Sequence, residues 1–460
     1  MFRIKTIQMP SLKEALFLTG IIVFMISFCI IALEAVPHLP ILFSILLLIL
    51  YGISKGISLR HLEEGMAEGA KSGMGAVLLF FLIGMLISSW MIGGTIPTLV
   101  HVGFDLVTPK FFFAIVFITT SIIGVCVGSS LTTAATAGVA FIGIASAIDV
   151  SLALTAGAIV SGAFFGDKMS PLSDTTNLAS AMIQVDLFEH IRNMAWTTVP
   201  AFLIALVLFG MLSPTVETTD FMKMKEFQAN LLATGLVHWY SLIPLAILLV
   251  MTFRKIPATL TLAAGALSAI LISFFHVSQS FSSLFQILFS GYVSTTGSEE
   301  IDALLSRGGL ESMMFTVGLV LLALAMGGLL FTLGIIPRLL QSIEQMLKKV
   351  SSVILASALS AIGINVVIGE QYLSILLTGE AFQSQYEKVG LANKNLSRVL
   401  EDAGTVINPL VPWSVCGVFI TNVLGVSTLE YLPFAFFCLL SPILTIIAGY
   451  TGKTLTYLKH

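Results

Sequence analysis

Residues 166–177 read GDKMSPLSDTTN, and they close a run from residue 111 whose only charge is Asp149. Asp167, Lys168 and Asp174 therefore crowd around Pro171 at the end of a stretch that otherwise suits lipid. Burying an ionised carboxylate at bilayer depth costs several kcal/mol, so Asp167 must be protonated, paired, metal-bound or near water. Pro171 lacks a backbone donor and disrupts any helix continuing from 151–166. That predicts free carbonyls at about residues 163–167, which together with a carboxylate suit a hard cation such as sodium.

The surrounding chain justifies the lipid reading. Of its 460 residues, 57% are hydrophobic and 10% charged, against about 25% charged in an ordinary soluble domain. Segments such as 16–36 and 74–94 approach or exceed the roughly 20 residues that cross a bilayer as a helix. They lack the polar/apolar alternation of a membrane β-barrel. The first apolar run has no small-residue cleavage site and is read as a retained helix, with Met1 as the mature N-terminus. Candidate spans fall near 16–36, 38–54, 74–93, 111–127, 129–148, 151–166, 195–213, 239–253, 257–276, 312–334, 351–369, 371–380, 403–425 and 430–450. Gly, Pro and polar residues make 129–180 and 370–415 broken or re-entrant. The hydrophilic connections are 214–238 and 278–311.

An internal repeat organises these segments. FLIGMLISSWMIGGTIPTLV (81–100) aligns without gaps on LLALAMGGLLFTLGIIPRLL (321–340), superposing Gly94 on Gly334 and Ile96-Pro97 on Ile336-Pro337. Gly128 then falls opposite Gly369, and Asp167 near Asp402. Lys55, Arg60 and Lys71 precede the first copy and only Lys110 follows it. Around the second copy the bias reverses, with Arg307 before it and Arg338, Lys348 and Lys349 after it. The positive-inside rule makes the copies cross in opposite directions, and Arg3, Lys5 and Lys13 keep the N-terminus cytoplasmic. The expected fold is an all-α polytopic membrane protein: a first repeat over 1–213, a hydrophilic connection over 214–238 and a second, inverted repeat over 239–460. Such repeats characterise secondary transporters, whose sites lie near the midplane at broken helices.

The candidate site residues follow from the breaks. Asp167 is the principal carboxylate, where proton and sodium would compete. Lys168 is expected to pair with Asp167 or Asp174, or to act as an internal cation. Asp174 reads either as an ion ligand or as the N-cap of a following helix, and Thr175, Thr176 and Asn177 as neutral oxygen donors or caps. Ser129, Ser130, Thr132 and Thr133 follow Gly128 as the start of a half-helix, which offers an anion its hydroxyls and free backbone donors, or else packs closely. In the second half Glu370, Asp402, Thr405 and Asn408 repeat the pattern, with Asn365, Gln371 and Glu401 beside them.

Other features point elsewhere. Cys29, Cys126, Cys416 and Cys438 have no metal-ligand spacing and read as packing residues. The seven histidines read as interfacial packing and the four tryptophans mostly as interface markers, with Trp413 as a candidate to face the cavity. A net charge of −3 without a basic run argues against nucleic acid. The lack of a Walker A motif argues against ATP-driven pumping, and no cofactor is expected.

GAIVSGAFFGDKMSPLSDTTNLAS (157–180) strongly resembles the signature of the NhaC family of bacterial sodium/proton antiporters. The likeness extends to GSSLTTAATAG (128–138) and LEDAGTVINPLVPW (400–413), and the hydropathy layout fits the whole chain. The resemblance implies inverted repeats, each with a re-entrant hairpin and a broken helix, in the bacterial cytoplasmic membrane. It places Asp167, Asp174, Asn177, Asp402 and Asn408 along the ion path, with Asp167, Asp174, Asn177 and Asp402 as the sodium ligands. Family members differ in cargo: some exchange sodium for protons, others couple these ions to malate and lactate. The expected partners are lipid, sodium and protons, with small carboxylates as the alternative cargo and a homodimer left open. An intramembrane enzyme or receptor is the third class, and no catalytic dyad supports it.

Overall fold

A computed structural model describes residues 6–106, 111–213, 218–344 and 349–458. Arg3, Lys5, Lys110, Lys348 and His460, which enter the charge and histidine arguments, lie outside the described residues, as do residues 214–217 of the expected connection.

The regular structure of the described residues is all helical, save an isolated antiparallel bridge between Leu391 and Tyr457. The first half runs through α1 (Leu12–Ile31), α2 (His38–Ser54), α3 (Leu59–Ser72), α4 (Met74–Ile92), α5 (Thr95–Leu106), α6 (Phe112–Val127) and α7 (Ser130–Ala147). It continues with α8 (Leu152–Met169), α9 (Asp174–Met182) and α10 (Leu187–Leu212). A middle section holds α11 (Thr218–Ala233), α12 (Trp239–Phe253), α13 (Ala258–Ser273), α14 (Phe281–Ser290) and α15 (Glu299–Leu305). The second half comprises α16 (Leu310–Thr332), α17 (Ile335–Glu344), α18 (Val350–Ile368), α19 (Gln371–Lys388), α20 (Asn393–Leu410), α21 (Val415–Leu424), α22 (Thr428–Phe434) and α23 (Phe436–Thr451).

Among the described residues six helices are long and apolar enough to cross a membrane, or up to eight if the bent pairs α20–α21 and α22–α23 each count as one span. The chain is an all-α polytopic membrane protein. The connections read as hydrophilic, 214–238 and 278–311, are partly helical. Phe227, Leu231 and Leu236 in the 214–238 segment, and Leu284, Ile301, Leu304 and Leu305 in 278–311, are buried in the core. Their apolar side chains find neighbours that a hydropathy window dilutes among polar residues.

The breaks recur in order along the two halves. Gly94 (φ 74°) ends the α4 turn and Gly334 (φ 68°) ends α16. Gly128 (φ 69°) terminates α6 and Gly369 (φ 77°) terminates α18, each in the left-handed region that only glycine enters without cost. The next residue, Ser129 or Glu370, is extended and caps the following helix. A second break then separates α8 from α9, and α20 from α21.

Small residues set how closely the site helices approach. α6 packs along α8, and a Cβ at Gly166 would stand 2.4 Å from the backbone of Gly124. The helices thus touch backbone to backbone, as small residues permit within membranes. This contact fixes the last turn of α8, which carries Asp167.

Candidate functional site

Asp167 projects from the last turn of α8 and is only 5% exposed. The helix stops at Ser170 and a short turn through Pro171 leads to α9. Ser173, not Asp174, is the N-cap of α9, and its hydroxyl also donates to Asp167 Oδ1 at 2.5 Å. Ser130, at the start of α7, donates to Asp167 Oδ2 at 2.6 Å. Both carboxylate oxygens are thereby held by hydroxyls from two different breaks.

The carbonyls expected to stand free are occupied. Ser170 N–H donates to Gly166 O, and Thr176 Oγ1 donates to the carbonyls of Asp167 (3.2 Å) and Lys168 (3.1 Å). Asn177 Nδ2 donates to Pro171 O at 3.0 Å and Ser173 O at 2.7 Å. A proline break whose carbonyls are capped by nearby Thr and Asn side chains is a stable local structure.

Lys168 differs from expectation as well. Its ammonium, with no exposed surface, makes an ion pair with Asp402 of α20 and lies 5.7 Å from the centre of the Phe437 ring. It pairs with neither Asp167 nor Asp174. Asp402 is equally buried, and its other oxygen accepts from Thr197 Oγ1 at 2.8 Å. Asp402, which the resemblance places among the sodium ligands, is the counter-ion of Lys168 in this structure.

A cavity of ≈ 370 Å³ opens beside Asp167, lined among others by Ser129, Ser130, Thr132, Asp174 and Asn177. Asp174 stands at the first position of α9 and is exposed to this space. Thr133 is not on the cavity wall; its hydroxyl bonds back to Ser129 O at 2.8 Å. A second cavity of ≈ 930 Å³ shares Asp174 with the first and reaches Glu370, Glu68 and Lys71. Gln371 and Tyr372, at the start of α19, line both cavities and bring the second half to the site.

Of the other second-half candidates, Asn365, Glu401, Asp402, Thr405 and Asn408 line neither cavity. Glu370 lines only the larger one, and its Oε2 accepts from Leu373 N–H at 2.7 Å as the cap of α19. Asn408 pins the α20–α21 break: Nδ2 donates to Asn365 Oδ1 at 2.8 Å and Oδ1 accepts from Cys416 N–H at 2.9 Å. Thr405 is fully buried, with its hydroxyl beside the Glu401 carboxylate. His190, expected at an interface, is wholly buried against Ser397 at 2.8 Å. Trp90 is also buried and donates to Gly265 O, and Trp413 donates to Val366 O at 2.6 Å and lines neither of these two cavities. Sequence reasoning missed Thr197 and Tyr372, since an isolated Thr or Tyr in an apolar helix carries no signal of its partner.

The arrangement places two acidic groups at the wall of one cavity, Asp174 and Asp167, the latter held by neutral donors with the adjacent lysine engaged elsewhere. The sequence profile of the Na+/H+ antiporter family matches residues 162–453, from within α8 to past the end of α23. The chain is 42% identical to the Na(+)/H(+) antiporter NhaC of Alkalihalophilus pseudofirmus over 95% of both chains. It is 38% identical to the Na(+)/H(+) antiporter NhaC of Bacillus subtilis, over 97% of this chain and 100% of the relative. A malate-2H(+)/Na(+)-lactate antiporter of Bacillus subtilis is 32% identical over 99% of this chain and 98% of the relative. Because the match takes in both helix breaks and the identity runs nearly end to end, the chain belongs to the Na+/H+ antiporter family, with the NhaC antiporters.

Proposed function

We propose that the chain is a secondary antiporter that exchanges sodium for protons across the bacterial cytoplasmic membrane, with Asp167 as the exchange carboxylate. The observation that carries this reading is the pairing of Lys168 with Asp402, which leaves Asp167 held by Ser130 and Ser173, with no ion pair to a basic side chain among the described residues, beside a cavity. A hard cation prefers such oxygen groups, and Asp167, Asp174, Ser129 and Thr132 are the ones that would hold it. A proton and sodium compete for the same carboxylate, so each displaces the other.

In this reading the two halves are inverted copies, the N-terminus is cytoplasmic, and the breaks after Gly128 and Gly369 are the tips of re-entrant hairpins. The test is sodium-dependent pH change in everted vesicles. Asp167→Asn should abolish it, and a wild-type rate in that variant would sink the proposal.

A second reading, sodium- and proton-coupled exchange of a small carboxylate, is favoured by one observation. The larger cavity, ≈ 930 Å³, exceeds what a sodium ion needs, and Lys71 lines it. Uptake of labelled malate or lactate under an imposed sodium gradient separates the two. Ion flux in proteoliposomes of the purified chain separates both from an enzyme or receptor.

A further inference from the structure

The oxygen groups assigned to the cation in the antiport reading, those of Asp167, Asp174, Ser129 and Thr132, all belong to the first half. The second half meets them at one place. Gly369 (φ 77°) turns the chain into α19, and Gln371 and Tyr372 on its first turn line both the cavity beside Asp167 and the larger one. Asp174 is the other polar residue common to the two cavities, and its helix α9 packs on α19. Asp174, Gln371 and Tyr372 therefore stand where the cavities meet.

Gln371 is 6% exposed, and its Oε1 is buried with no hydrogen-bond donor among the described residues. Its neighbours are satisfied: Glu370 Oε2 accepts from Leu373 N–H, and Ser374 Oγ donates to Ala361 O at 2.8 Å while accepting from Asn365 Nδ2 at 3.3 Å. A buried amide oxygen without a donor is destabilising, so its retention needs a cause. Packing gives none, because a methionine of similar length would fill the space without the polar atom. A neutral carbonyl oxygen replaces water around a cation. Unlike the carboxylates of Asp167 and Asp174, it does so without taking up a proton itself.

We propose that Gln371 is the second half's ligand to the transported sodium ion, its Oε1 completing the oxygen set around Asp167 and Asp174 and setting the preference for sodium over potassium. This rests on the antiport reading of Asp167, which it extends to the second half. A sodium ion shared by α8, α9 and α19 draws the halves together when it binds. A larger ion needs the same oxygens farther apart, against the packing of α9 on α19. A proton neutralises Asp167 without Gln371, so the second half grips only one of the two exchanged cations.

The test is radioactive sodium binding to the purified full chain in detergent, by equilibrium dialysis with potassium as competitor. Gln371→Met should weaken sodium binding by about tenfold, the loss of one contact to a charged group. Potassium should lose less, so that the preference narrows, and the melting temperature should not fall. Gln371→Glu keeps an oxygen at this position and should bind sodium at least as tightly as the wild type. Wild-type affinity and preference in Gln371→Met overturn the proposal. Equal weakening in Gln371→Met and Gln371→Glu with an unchanged preference also overturns it, since that marks a packing residue. If Gln371→Met does not fold, Gln371→Asn, whose shorter side chain draws the oxygen back, should weaken sodium binding in the same way, and wild-type binding there overturns the proposal. Asp167→Asn is the separate control: full sodium binding in that variant refutes the reading of Asp167, while Gln371 stands or falls by its own variants.

Discussion

Lys168 and Asp402, 234 residues apart, form an ion pair in which neither side chain has any exposed surface. It joins α8 to α20, and Thr197 of α10 holds the remaining Asp402 oxygen at 2.8 Å. The pair therefore fastens the broken helix of the first half to that of the second.

Removing one partner of a buried pair strands the other charge, at a cost of about 3–5 kcal/mol. Asp402→Asn and Lys168→Met should each lower the melting temperature of the purified protein. The combined variant Lys168→Met with Asp402→Leu should recover most of the loss, because no isolated charge remains. Melting curves that place both single variants with the wild type would show that the pair does not hold the helices together.

Ser130 governs how firmly the ionised form of Asp167 is held. A hydrogen bond to a charged group contributes about 1.5–3 kcal/mol, and the Ser130 hydroxyl reaches Asp167 at 2.6 Å. Ser130→Ala should raise the sodium concentration for half-maximal exchange on the order of tenfold or more, while the maximal rate changes less. Ser173→Ala removes the second donor and also the cap of α9, so it should impair stability too. Sodium dependence of exchange in vesicles, paired with melting curves, checks both; an unaltered sodium requirement in Ser130→Ala would mean that this oxygen is not involved in binding.

What could be read from residues alone was local. Apolar length located α1, α4, α10, α16 and α18, Pro171 marked the end of α8, and the aligned glycines at 94 and 334 marked equivalent turns. Each of these rests on a backbone property of one residue or on a run of neighbours. The partners were not legible. Lys168 has two acids nearby in sequence, and only the approach of α20 decides that it takes Asp402. Asn408 stands in the polar run after the second break exactly as an ion ligand would be guessed from spacing, yet its amide is spent on Asn365 and Cys416. Trp90 carries the signature of an interface residue and is buried because α13 offers it the Gly265 carbonyl.

Close approach of α6 and α8 makes glycine necessary at their crossing. A methyl group at Gly166 would meet the Gly124 Cα and carbonyl carbon at 2.4 Å, whereas one at Gly124 would meet the Gly166 Cα at 3.0 Å. The obstacle is backbone in both cases, so no rotamer change relieves it. Overpacking of this kind costs about 1–3 kcal/mol, occasionally more. Gly166→Ala should therefore be more destabilising than Gly124→Ala, and should also reduce exchange by displacing the neighbouring Asp167. Melting temperatures in the reverse order would contradict the crossing geometry.

Asp302 gives a pH dependence outside the membrane-spanning helices. Its carboxylate accepts from Thr296 N–H at 2.8 Å, Ser294 Oγ at 2.8 Å and Gly297 N–H at 3.2 Å, which lowers its pKa to about 2. A carboxyl group that is more acidic when folded stabilises the segment above its unfolded value, 3.8, and loses that contribution as pH falls towards about 2. The 294–302 segment should thus keep its structure unchanged from neutral pH down to about 4 and loosen below it. Asp302→Asn should loosen it at neutral pH and remove the acid transition. Proteolysis of this segment, followed against pH in both forms, tests the sign: protection that grows on acidification would contradict the role given to Asp302.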